Sequence, residues 1–167
     1  MHDELTRVDL EKMRRELEYR ENELMPKILE DVKTARAFGD LSENFEYKAA
    51  KSEQRKNMSR IRYLKQMLAS AVVIEAESAA DVAGLFDTVT LFMEDEGEEM
   101  TVRFVTTLRQ NALEGLISKE SPLGRAVLGH RAGDRVHVQV SDDYGYWAQI
   151  RSITKGEDDE SLDISRF

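Results

Sequence analysis

The 167-residue chain contains no cysteine. That absence excludes disulfides, thiolate-bound zinc and a cysteine nucleophile together. Its three histidines, His2, His130 and His137, are scattered and none pairs with another at ligand spacing, so a zinc centre is not expected. No apolar run is long enough to span a bilayer, and the first residues hold no signal-peptide core. A cytoplasmic protein without membrane contact is therefore expected. There is also no P-loop, no dinucleotide-binding fingerprint and no nucleophile elbow. Proline occurs twice, at Pro26 and Pro122.

What is present is 41% hydrophobic residues, enough for a folded core, and 34% charged residues, which call for long solvated faces. The net charge of −9 is uneven: residues 1–70 hold 15 Lys and Arg against 14 Asp and Glu, and residues 71–167 hold 9 against 19. Within the first part, residues 43–70 carry seven bases (Lys48, Lys51, Arg55, Lys56, Arg60, Arg62 and Lys65) against three acids. Such a chain is not expected to coat nucleic acid over its whole surface, because phosphate binding needs net positive patches. One helix is left either to meet an acidic partner or to serve as a solvated face.

Leu10, Met13, Leu17 and Leu24 begin a stripe at three- and four-residue spacing, and Ile28, Val32 and Ala35 continue it after a phase shift. Pro26 interrupts this helix and is expected to kink it, since proline removes a backbone donor and crowds the preceding turn. Gly39 suits the left-handed position that ends a helix. A second stripe of Tyr47, Ala50, Gln54, Asn57, Ile61, Leu64 and Leu68 follows a heptad, with polar Gln54 and Asn57 in mid-seam where they can fix register. Two such segments joined by a few residues predict an antiparallel coiled-coil hairpin. Helices of about 30 residues make it on the order of 45 Å long. "GDLSE" (39–43) then lies at the tip, where Phe38, Leu41 and Phe45 are unusual exposed company for two acids.

After about residue 70 the period becomes strand-like. Residues 72–76, 87–95, 100–105, 134–141 and 146–153 are rich in β-branched and aromatic residues, and Val136, Val138 and Val140 alternate with polar neighbours. "EDEGEE" and "SDDYG" read as turns. Ser121 and Pro122 suit the N-cap and first position of a short helix, and Gly129 its end. Trp147 is expected in the sheet core. The fold class is α+β: a coiled-coil hairpin with an acidic tip (1–72), a small mostly antiparallel sheet domain with one short helix (73–156), and a mobile acidic tail (157–167).

The residues that could carry chemistry are Asp40 and Glu43. On local grounds they read first as a capping-box variant, with Asp40 as N-cap and Glu43 three places on, and a metal role is the minority reading, in which the cap also fixes the carboxylates for a partner. Two carboxylates alone hold magnesium weakly, so a metal role requires a partner to supply the remaining ligands.

"ARAFGDLSENFEYKAAKSEQ" (35–54) resembles the hairpin tip of the bacterial Gre transcript-cleavage factors, and Pro26 stands where that family has a proline. "ISKESPLGRAVLGHRAGDRV" (117–136) is similar to the family's C-terminal motif, and the resemblance runs from about Leu5 to Ile153. It implies a hairpin that enters the secondary channel of RNA polymerase and an FKBP-like domain that holds the channel rim. It also implies a factor with no enzymatic activity of its own, which stimulates the polymerase to cut backtracked nascent RNA. On this chain, Asp40 and Glu43 become the acids that hold Mg²⁺ jointly with the polymerase, with none bound stably alone. Gly39, Leu41, Ser42, Asn44, Phe45 and Tyr47 support the tip. Arg36, Lys48, Lys51 and Arg55 form a basic face near the RNA 3′ end. Ser121, Pro122, Gly124 and Arg125 belong to the rim-binding domain.

The chain departs from the family pattern at four places. Phe45 replaces a small residue, Asp9 replaces a glycine, residues 105–116 lack the usual motif, and the turn at Ser141–Gly145 lacks a proline. Two further readings stay beside the leading one. A channel-occupying regulator that does not promote cleavage is suggested by Phe38 and Phe45. A prolyl isomerase is suggested only by the FKBP-like fold, which does not fix activity.

Overall fold

The structure is a computed structural model, which describes residues 3–39 and 44–166. The chain divides into two compact units: Asp3 with Leu10–Val72, and Glu4–Asp9 with the residues from Val73 onward.

The helical unit carries the rest of α1 (Arg7–Tyr19), a π-helical turn (Arg20–Leu24), α2 (Met25–Arg36) and α3 (Phe45–Ser70). Leu10, Met13, Ile28, Val32, Ala35 and Leu64 are buried. Leu17 and Leu24 on the first stripe, and Tyr47, Ala50, Gln54, Ile61 and Leu68 on the second, are partly covered. The kink expected at Pro26 takes the form of the π-helical turn just before it, with proline placed in the first turn of α2. There its missing N–H is tolerated. The Met25 amide reaches back to the Arg20 carbonyl. This wider turn accounts for the phase shift between Leu24 and Ile28.

Buried Asn57 locks the two segments at that turn. Its Nδ2 donates to the Arg20 carbonyl (3.2 Å), and its Oδ1 accepts from Arg20 Nη1 (2.9 Å). Arg20 and Arg60 each donate to Glu16 at 2.8 Å, and Arg60 does so twice. Burial pushes the Glu16 carboxyl up, but the bonds from Arg60 and Arg20 outweigh it and hold its pKa below the ordinary 4.5. A slip of one turn would strand these groups, so the polar layer sets the register that the heptad alone leaves open.

The second unit holds a five-stranded mixed sheet. Glu4–Leu5 (β1) and Val72–Val73 (β2) are short. They are followed by β3 (Thr88–Met93), β4 (Glu98–Val105), β5 (Leu116–Ser118), β6 (Arg135–Gln139) and β7 (Gly145–Thr154), in the order β5-β4-β3-β7-β6. All neighbours are antiparallel except β4 and β5, and a register shift falls between Thr90 and Leu91 on β3. The parallel strand β5 falls in a stretch that the sequence does not mark as a strand, being only three residues long. The helix α4 (Pro122–Val127) lies between β5 and β6 in the chain, and its Leu123 and Val127 join Val89, Leu91, Val102, Phe104, Val136, Val138 and Ile150 in the core. Trp147 is not core. It is 40% exposed, with the Arg135 guanidinium 3.9 Å from its ring centroid and His137 edge-on at 4.8 Å.

The acidic tail is anchored, contrary to the expectation of a mobile segment. Buried Asp87 accepts from the Gly156 amide (2.9 Å) and pairs with Lys155 at 2.5 Å. Arg103 donates to the carbonyls of Phe86 (3.0 Å) and Glu157 (2.9 Å), and Leu162 packs against the cluster of Leu85, Phe86, Val105 and Leu116. The Ser165 amide donates to the Leu108 carbonyl at 2.6 Å.

Arg109 holds the centre of this arrangement, with a side chain that is fully buried. Its Nε meets Asp9 Oδ1 at 2.6 Å, its Nη1 donates to the Asp159 carbonyl at 2.7 Å, and its Nη2 reaches Thr6 Oγ1 and Asp158. The guanidinium also lies 4.8 Å from the Phe86 ring centroid. Asp9, the divergent segment 105–116 and the tail thus meet in one ion cluster.

Ending the chain at Gly156 is expected to lower the urea midpoint of this unit, followed by the single Trp147. Arg109→Ala is expected to cost about 3–5 kcal/mol, because Asp9 loses its buried partner. An unchanged midpoint in both variants would contradict the anchoring.

Candidate functional site: the turn between the long helices

Asp40, Leu41, Ser42 and Glu43 lie outside the described residues, and the structure bears on them through their two flanks. On the first flank α2 ends at Arg36, and Gly39 follows with φ +115°, a backbone conformation that disfavours any side chain. On the second, α3 begins at Phe45 and its N-cap is Asn44, in an extended conformation (φ −82°, ψ 97°). The Asn44 Oδ1 accepts from the Tyr47 amide at 2.9 Å, the bond of an N-cap side chain to its third helical residue. Its Nδ2 donates to the Ala35 carbonyl at 2.7 Å. One amide therefore satisfies a donor at the start of α3 and an acceptor at the end of α2.

This corrects the capping-box reading of Asp40 and Glu43. The cap of α3 sits four residues beyond Asp40, and Tyr47 occupies the third helical position there. A neutral amide does better than a carboxylate at this point because it can donate and accept at once. The sequence signal was present in "SENFEY", but an Asn next to two acids was the less conspicuous candidate.

A second link crosses the same helix ends. Arg36 Nη2 donates to the Tyr47 hydroxyl at 3.3 Å, and its guanidinium lies 5.6 Å from the Tyr47 ring centroid. The Arg36 hydrogen bond holds the Tyr47 phenol pKa below the ordinary 10.0. Of the other basic residues, Lys51 donates to Gln54 Oε1 at 2.9 Å, Lys48 lies over the Phe45 ring, and Arg55 is exposed. Phe38 is 73% exposed and Phe45 81% exposed. The turn thus shows aromatic rings and cations together. Among the described residues no group of three or more Asp, Glu and His is placed to hold a metal ion.

The residues of the C-terminal motif are brought together elsewhere, at the start of α4. Ser121 Oγ accepts from the Gly124 amide (3.0 Å) and donates to the Ser118 carbonyl (2.7 Å), and Pro122 occupies the first turn. A Cβ on Gly124 would sit 2.5 Å from the Ser118 carbonyl oxygen, so glycine is required for α4 to lie on that strand end. Arg125 is exposed and pairs with Glu120 at 3.2 Å. The hydrogen bonds from Lys119 and Arg125 hold the Glu120 carboxyl below its ordinary range. Ser121, Pro122 and Gly124 are therefore structural, and Arg125 with Glu120 presents the charge. Fully exposed Leu113, on the loop before β5, was missed because nothing in the sequence distinguishes it from a core leucine.

Asn44→Ala is expected to cost about 1–2 kcal/mol, the usual loss for a removed N-cap, with faster amide hydrogen exchange at Tyr47. Asn44→Asp keeps the cap and loses only the bond to Ala35, so it is expected to protect Tyr47 while loosening the end of α2. Equal exchange in all three proteins would contradict the double role.

Residues 4–73 match the family model described as transcription elongation factor, N-terminal, and residues 77–155 match transcription elongation factor, GreA/GreB, C-term. The transcription elongation factor GreA of Geobacillus kaustophilus is 43% identical over 137 residues, which cover 81% of this chain and 87% of that one. The GreA of Oenococcus oeni is 34% identical over 154 residues, or 92% of this chain and 95% of its own. Among solved structures, the transcription factor Gfh1 is 26% identical and covers 92% of this chain and 97% of that one, with a TM-score of 0.46. With both domain models matched in order over most of its length, the chain belongs to the GreA/GreB family of transcription elongation factors.

Proposed function

We propose that this factor binds bacterial RNA polymerase, places the turn between α2 and α3 in its secondary channel, and stimulates the polymerase to cleave backtracked nascent RNA. The observation that carries this reading is the cap of α3. Asn44 fills the N-cap position and accepts from the Tyr47 amide, so the place that Asp40 would take as a cap is held by another residue.

Each residue near the turn has a role that follows from its chemistry. Asn44 and the Arg36–Tyr47 pair hold the two helix ends, which fixes the span that residues 40–43 must cross. Asp40 and Glu43 supply two hard oxygen ligands, a donor set that fits Mg²⁺ only where the polymerase provides the remainder. Held between these two carboxylates and the polymerase's own ligands, Mg²⁺ would supply Lewis-acid activation for attack on a phosphodiester. Lys48, Lys51 and Arg55 place positive charge beside the RNA backbone, and their contribution weakens with salt. Arg125 and Glu120 at α4 present the charges by which the second unit meets the channel rim. The reaction belongs to the polymerase, and this chain is a cofactor protein without activity of its own.

Asp40→Asn and Glu43→Gln are each expected to abolish the stimulated cleavage in a backtracked bacterial polymerase complex with Mg²⁺. Their affinity for the polymerase, measured by displacement of the labelled wild type, is expected to hold. Cleavage by either variant at the wild-type rate would overturn the assignment of the acids.

A further inference from the structure

Phe45 is the first residue of α3 and is 81% exposed, a costly place for a large apolar ring at the turn of a hairpin. Its neighbours are cations. Lys48, one turn along the helix, holds its ammonium 5.8 Å from the Phe45 ring centroid, Arg36 ends α2, and Lys51 and Arg55 follow further along α3. Among the described residues, neither Lys48 nor Arg55 has an acidic partner. An exposed aromatic ring beside an ammonium matches one ligand chemistry closely. A nucleobase stacks on the ring and the adjoining phosphate meets the lysine, as in proteins that bind single-stranded nucleic acid. An apolar protein pocket would take the ring equally well, but it would leave the Lys48 charge facing a non-polar wall.

We infer that Phe45 stacks on a base of the extruded 3′ segment of the backtracked RNA and makes this factor prefer purines there. The inference rests on the cleavage reading proposed above. The base identity is read through stacking area alone, since phenylalanine offers no hydrogen bond, so adenine and guanine are favoured over uracil and cytosine. Lys48 adds a phosphate contact that does not depend on the base.

The test uses the full chain and two backtracked polymerase complexes that differ only in the extruded RNA 3′ base, adenine or uracil. Cleavage with the factor is divided by cleavage without it, which removes the polymerase's own preference. Wild type is expected to stimulate the adenine complex about three- to five-fold more than the uracil complex, a modest preference set by the difference in stacking strength between the two bases. Phe45→Ala is expected to bring adenine down to the uracil level, and Phe45→Tyr to keep the difference. Equal losses on both RNAs in Phe45→Ala, as for a ring seated in a protein pocket, would overturn the inference, and so would no change on either.

A second readout separates the inference from the cleavage reading. 2-Aminopurine at the RNA 3′ end is expected to lose fluorescence when the cleavage-deficient Asp40→Asn factor binds. The D40N/F45A double variant is expected to leave it bright. If wild type stimulates neither complex while the quenching depends on Phe45, the stacking stands and the cleavage reading falls. If stimulation occurs without quenching, the reverse holds. If neither occurs, both fall.

Discussion

A two-helix hairpin has to satisfy the carbonyls at the end of one helix and the amides at the start of the next within a few residues. Here a single carboxamide does much of that work, with Asn44 accepting from Tyr47 and donating to Ala35. The Arg36–Tyr47 contact reinforces the same two helix ends. With Asn44 in the N-cap position of α3, Asp40 does not hold that place. Arg36, Phe45, Tyr47 and Lys48, which flank residues 40–43, are held on helices instead of loops.

The second unit shows a different economy. Asp9, where the family has a glycine, would be costly to bury alone. It is matched by Arg109, which comes from the segment 105–116, and by an acidic tail folded back onto the same guanidinium. Asp9, Arg109 and the tail therefore form one interlocked set of charges. Changing one member of the set should strand the others, which makes the cluster a unit for stability and not a collection of independent surface charges.

Most of the architecture was legible from periodicity. The two helical stripes, four of the five main strands and the Ser121-Pro122 start of α4 follow from spacing and cap chemistry, because each depends on neighbours in sequence. What escaped depended on distant partners. Nothing local marks Arg109 as buried, the tail as anchored or Trp147 as surface, since Asp9, Arg103 and Arg135 supply the reasons. The cap of α3 was misassigned for a subtler reason. Asp40 and Asn44 are both good caps, and only the bond to Ala35 across the turn favours the amide. Pro26 announced an irregularity whose form, a π-helical turn, depends on Asn57 holding the Arg20 carbonyl.

The proposed cleavage role requires Asp40 and Glu43 to be free of structural duty. The most direct measurement is the urea midpoint and far-UV helicity of the double variant D40N/E43Q beside wild type and Asn44→Ala. Values for the double variant within about 0.5 kcal/mol of wild type are expected, as for surface changes that touch nothing essential. A loss of about 1–2 kcal/mol, equal to that of Asn44→Ala and of the size of a missing cap, would show that the acids serve the helix and would contradict it.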